Sequence, residues 1–114
     1  MKNKSLEDLT SLVVKFRDER NWKQFHNPKD LALSLSLEVS ELLENFQWQT
    51  SEEAVAKNLA QMKEELADVL MYALLFAHET GIDITQVIEE KLQKNNEKYP
   101  VEKAYGVNTK YTEL

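Results

Sequence analysis

The stretch "VAKNLAQMKEELADVLMYALLFA", Val55 to Ala77, decides how the rest of the chain is read. Val55, Leu59, Met62, Leu66, Val69, Ala73 and Phe76 alternate steps of four and three, the spacing that lines one face of an α-helix. Upstream, Thr50 and Glu53 form a capping-box pattern that opens this helix. Downstream, Gly81 supplies the residue that a left-handed helix end requires. Working outward, Asn27 followed by Pro28 reads as N-cap and first helical position of a preceding helix that runs to about Trp48. Before it, Ser5 with Asp8 opens another helix carrying Leu6, Leu9, Leu12, Val13 and Phe16. The intervening "ERNWKQFHNPKD" breaks the period and reads as a loop. Beyond Gly81, Asp83 and Gln86 start a last helix, "ITQVIEEKLQKNNEKY", that stops before Pro100. The tail "VEKAYGVNTKYTEL" has no period. The expectation is an all-α four-helix bundle in a single domain, residues 1–114.

Composition narrows the function classes. With 2 Gly and 2 Pro in 114 residues, turns are few, which favours long helices over strands. The formal net charge of −6 without a basic run argues against binding duplex nucleic acid through its phosphates. A phosphate ligand remains accessible if a divalent cation supplies the positive charge. The absence of Cys excludes disulfides, thiolate metal sites and cysteine nucleophiles, and it fits a reducing cytoplasmic setting. The longest apolar run, Val69 to Ala77, is too short to span a bilayer, and the N-terminus has no apolar signal region.

Two acid pairs interrupt this apolar pattern. In "LSLEVSELLENFQW", Leu35 to Trp48, Glu38 and Glu41 share one helical strip. Leu31, Leu35 and Leu42 flank it on one side, Leu33 and Leu37 on the other. In "EELADVLMY", Glu65, Asp68 and Tyr72 share a strip between Val69 and Phe76 on one side and Met71 and Leu75 on the other. A lone acid pair at i, i+3 usually marks a solvated face. Apolar brackets on both sides change that balance, because clustered buried carboxylates repel unless a cation neutralises them. The donors are all oxygens, which suits Mg²⁺, Mn²⁺ or Ca²⁺. A di-iron bundle site would need Glu-x-x-His, and neither His26 nor His78 follows a Glu at that spacing.

ExxE at Glu38 and Glu41, ExxD at Glu65 and Asp68, "NWKQFHNP", "FQW", "KNNEKYP" and the terminal "KYTEL" together resemble the MazG-like nucleoside triphosphate pyrophosphohydrolases, in particular their dCTP pyrophosphatase branch. The likeness covers nearly the whole chain. It implies a MazG-like helical bundle that assembles as a homo-oligomer, a homodimer core pairing into a tetramer. It implies a Mg²⁺-dependent hydrolase, with Mn²⁺ as a substitute, that splits a deoxynucleoside triphosphate into monophosphate and pyrophosphate. By the same resemblance Glu38, Glu41, Glu65 and Asp68 are the metal ligands. Trp22, Lys23, Gln24, Phe25, His26, Trp48, Tyr72, Lys91 and Asn95 become substrate contacts, and Lys91 also steadies the leaving pyrophosphate. Glu41 is the favoured general base, with Glu64 behind it, since the position before the first motif acid is Leu37. The chain departs from the branch at Val13, where a polar histidine can stand, and in its short connection after Trp48. The rival reading is a catalytically silent helical interaction module whose acid strips face a partner. A silent module would not need all four acids.

Overall fold

The computed structural model describes residues 3–114. Helix α1, Leu6–Glu19, starts at a capping box in which Ser5 and Asp8 exchange side-chain and backbone hydrogen bonds. Asn21 then takes a left-handed conformation (φ 55°) and turns the chain into a 3₁₀ turn, Trp22–Phe25. The loop expected there is thus a tight turn that folds back toward α1. Helix α2, Pro28–Glu44, begins as the Asn27–Pro28 pair predicts, with the Asn27 side chain accepting from the Asp30 amide at 2.9 Å.

Helix α2 ends at Glu44, earlier than the expected Trp48. The reason is local: Asn45 turns its side-chain amide back onto the Glu41 and Leu42 carbonyls at 3.3 and 3.2 Å, satisfying two of the groups a longer helix would have bonded. Turns follow, and Trp48 sits at φ 62°. Helix α3, Ser51–Thr80, opens at Thr50, whose hydroxyl accepts from the Glu53 amide at 3.2 Å. It bends at Asn58, where the backbone leaves helical angles and the side-chain amide donates to the Asn45 carbonyl at 2.9 Å. This bond ties the α2–α3 corner together. At the other end Gly81 (φ 70°) completes a Schellman motif: its own amide donates to the His78 carbonyl, and that of Ile82 to the Ala77 carbonyl.

Contacts divide the chain into two compact units, the first ending at Ile82 and the second being Asp83–Leu114. In the first, α2 packs along α3, and α1 packs on α3. Its core is Leu31, Ala54, Met62, Leu74, Leu75 and Ala77. The apolar ladder of α3 is covered unevenly. Met62 is buried and Val69, Ala73 and Phe76 are half-buried, whereas Val55, Leu59 and Leu66 stay exposed. On α2 the flank containing Leu31 is covered, and Leu33 and Leu37 on the other flank are open. The second unit holds α4, Ile84–Lys98, capped by Asp83 onto the Gln86 amide at 3.1 Å. The aperiodic tail forms a short helix α5, Val101–Ala104, and a 3₁₀ turn, Tyr111–Glu113. Tyr111 lies edge-on to Tyr99 at 5.9 Å with the Lys98 ammonium over its ring. Among the described residues every regular element is helical, and no helix is long and apolar enough to cross a membrane.

Candidate metal centre and adjoining cavity

The packing of α2 along α3 brings one acid of the first pair against both acids of the second. Glu38, Glu65 and Asp68 each offer a carboxylate oxygen, and these oxygens lie within 4.8 Å of one another. Glu65 is buried, at 8% exposure, and Glu38 and Asp68 are half-buried. Gln61, one turn before Glu65, donates to its Oε1 at 2.5 Å and holds the carboxylate in place. Oε2 of Glu38 is buried without any hydrogen-bond partner. A desolvated anionic oxygen left unpaired is costly. An all-oxygen set with such an orphan fits a hard divalent cation, which would satisfy the orphan and cancel the mutual repulsion.

The fourth acid behaves differently. Glu41 is exposed and leans on the cluster; hydrogen bonding to Glu65 and then to Glu38, reinforced by their charges, pushes its carboxyl up to about 7. It therefore carries a proton part of the time near neutral pH, a property suited to proton transfer.

Beside the acids lies a cavity of about 190 Å³. Its walls come from α1 (Val13, Phe16, Arg17), Trp22 of the 3₁₀ turn and His26 just after it, and α3 (Asp68, Met71, Tyr72, Leu75). Asp68 belongs both to this wall and to the acid cluster. The left-handed Asn21 returns Trp22 onto Phe16, edge to face at 5.7 Å. The His26 ring meets Tyr72 edge-on at 6.4 Å, and its Nδ1 is buried with no partner. Burial first, and the Arg17 cation second, lower the His26 pKa below its ordinary value, against an opposing pull from Glu79. The ring is accordingly neutral at pH 7.

Of the substrate contacts expected from the sequence, Trp22, His26 and Tyr72 line this cavity. Lys23, Gln24 and Phe25 do not, and all three are exposed. Trp48 is 93% exposed. Lys91 and Asn95 lie on α4 in the second unit, Lys91 exposed and Asn95 half-buried. Sequence reasoning passed over Gln61, Met71 and Leu75 as site residues, and above all Arg17, which is 2% exposed and ion-paired to Asp18 and Glu79. The signal was present: Arg17 follows Val13 by four and stands in the apolar stripe of α1, where a charged residue is out of pattern.

A family model described as MazG-like matches residues 33–114. The chain is also similar to dCTP pyrophosphatase 1 of Mus musculus, which is 40% identical over 115 residues, covering 96% of this chain and 68% of that protein's length. The Homo sapiens dCTP pyrophosphatase 1 is 39% identical over the same shares of both chains. Among solved structures, a pyrophosphatase from Archaeoglobus fulgidus superposes with a TM-score of 0.80 at 38% identity, covering 88% of this chain and 96% of that one.

Proposed function

As the chain belongs to the MazG-like family, we propose that it is a nucleotide pyrophosphohydrolase that converts a deoxynucleoside triphosphate to its monophosphate and pyrophosphate. The observation that carries this reading is Asp68, shared between a cation-ready acid cluster and a cavity with aromatic walls. A triphosphate has two halves with these needs: an anionic chain to be neutralised and a flat ring to be stacked. Relatives named dCTP pyrophosphatase 1 support dCTP as the preferred substrate; a dCTP substituted at C5 as an alternative, and a role in keeping the nucleotide pool clean, are carried by the sequence resemblance alone.

Glu38, Glu65 and Asp68, joined by Glu41, would hold Mg²⁺, with Mn²⁺ as a substitute. When bound, the cation offsets phosphate charge and lowers the pKa of a coordinated water. The chain's own residues do the rest. Trp22 and Tyr72 present aromatic edges and faces to the base, and Phe16 backs Trp22. Glu41 would accept the proton of the water that attacks the α-phosphorus. The bond from that phosphorus to the bridging oxygen breaks, and pyrophosphate leaves. Lys91 and Asn95 are assigned to the phosphates on sequence resemblance alone. Open apolar positions at Leu33, Leu37, Leu43, Leu59 and Leu66 support a homodimer core that pairs into a tetramer, with Trp48 offered to a neighbouring copy.

A panel of deoxynucleoside and ribonucleoside triphosphates, assayed separately for pyrophosphate and orthophosphate, tests the reaction. Pyrophosphate with the monophosphate is expected, cytosine deoxynucleotides first and ribonucleotides poor. Release of orthophosphate instead would remove the reaction class. Glu38→Gln and Asp68→Asn are expected to abolish turnover while the far-UV circular dichroism stays helical. Activity of either variant within a few-fold of wild type would remove the acid cluster from the site.

A further inference from the structure

Among the described residues Arg17 is the most deeply buried charged residue of the first unit, and it lines the cavity. Its side chain is held from two sides. Nε donates to Asp18 Oδ1 at 3.0 Å, and Nη2 meets the same oxygen at 3.0 Å. Nη1 donates to Glu79, in the last turn of α3. A guanidinium carries five N–H donors in a rigid fork. These contacts engage three of them and leave one N–H on each Nη. The cavity around the fork is otherwise mostly apolar: Val13, Phe16, Met71 and Leu75 offer no polar group. Trp22, Tyr72 and Asp68 add polar groups elsewhere on the wall, and His26 adds a buried Nδ1 with no hydrogen-bond partner. Ligand cavities of this kind orient their occupant through the few polar groups they contain.

We infer that Arg17 is a specificity-determining residue: its two remaining N–H donors, with His26 Nδ1 as a neighbouring acceptor, read the hydrogen-bonding edge of the base. This rests on the proposed pyrophosphohydrolase reading. The edge that fits is two adjacent acceptors beside one amino donor. Cytosine has that order, with O2 and N3 as acceptors and the exocyclic amine as donor. Uracil and thymine place a donor between two acceptors, guanine places two donors beside its acceptor, and adenine lacks the second acceptor. A neutral His26 ring carries one N–H, and with that proton on Nε2 the unpartnered Nδ1 would be free to accept. Asp18 and Glu79 serve as positioning residues that aim the fork, and the rigidity of a paired guanidinium makes a misplaced donor costly to accommodate.

Two variants of the full chain test this. Arg17→Lys keeps the charge and a partner for Glu79 but replaces the fork with a single ammonium. Arg17→Met with Glu79→Gln removes both charges together, so that no buried charge is left alone. Initial rates of pyrophosphate release from dCTP, dTTP, dUTP and dATP give kcat/KM for each, and calorimetry with dCMP and dTMP reads binding without turnover. The expected result is wild-type preference for dCTP, falling at least about tenfold in ratio over dTTP in both folded variants, mainly through KM, as lost charge-assisted hydrogen bonds imply. Preference for dCMP over dTMP should fall in parallel. Ratios that stay within about twofold of wild type in the folded variants would overturn the assignment; if the double variant does not fold, Arg17→Lys decides. Wild-type preference for a base other than cytosine would overturn it as well, with the reaction class intact. Failure of the wild type to release pyrophosphate from any nucleotide would instead remove the reading beneath it.

Discussion

Glu41 stands apart from the other three acids: it is exposed, and the neighbouring Glu65 and Glu38 push its carboxyl up. Its carboxyl, raised from 4.5 to about 7, is protonated in the folded metal-free chain over a window where the unfolded chain has lost that proton. The folded state therefore binds more protons there, and stability falls as pH rises from about 4.5 through about 7. The metal-free protein is expected to melt at a lower temperature at pH 7.5 than at pH 5.5 through this group, and Glu41→Gln should flatten that part of the profile. Cation binding needs the ionised carboxylate, so Mn²⁺ affinity is expected to weaken as pH drops below about 7, with proton release visible as a buffer-dependent heat in calorimetry. An affinity flat from pH 6 to 8 would sink this account. Gln61 acts one step further out, through its bond to Glu65. Replacing it with Leu should weaken Mn²⁺ binding by roughly 10- to 100-fold, the usual effect of losing a group that orients a ligand. Unchanged Mn²⁺ affinity in a folded Gln61→Leu protein would show that Glu65 needs no such support.

Helix ends, more than helix middles, set the geometry that the site depends on. The Asn45–Asn58 bond closes the α2–α3 corner, and so fixes how far Glu38 travels along α3 before it meets Glu65. At the opposite end of α3, Gly81 holds the left-handed cap two residues after Glu79, the partner of Arg17. A Cβ added at Gly81 would meet nothing within 4 Å, so the cost of Gly81→Ala is that of the backbone angle alone. That cost is about 1 kcal/mol. Thermal denaturation of the Gly81→Ala protein should show a correspondingly small loss of stability with turnover retained. A change of no more than the experimental error would mean the cap can relax at no cost.

At the scale of the whole molecule, the first unit leaves several large apolar side chains open to water. Leu37 and Leu43 on α2 are 63% and 69% exposed, and Leu59 and Leu66 on α3 are close to half exposed. Self-association through these positions is expected. Light scattering should give a mass of two or four chains at working concentration, and Leu37→Glu should shift it downward and lower Tm. A monomer across micromolar concentrations would count decisively against it.

What the sequence determined by itself was local. Capping residues, proline, glycine and the spacing of three and four are short-range instructions, so the helix starts at Ser5, Asn27, Thr50 and Asp83 were legible before any packing was known. The same is true of acids at i, i+3, which must share a face wherever a helix forms. The α2 end was missed because Asn45 stops the helix with its own side chain, a choice a hydrophobic pattern does not encode. Tertiary structure decided which faces are covered and which polar groups meet: Glu38 of α2 reaching both acids of α3, Asp68 joining cluster to cavity, and Arg17 buried against Glu79. Those facts depend on the approach of helices distant in sequence. Periodicity records only that a side chain faces inward; what it finds there is set by the neighbouring helix.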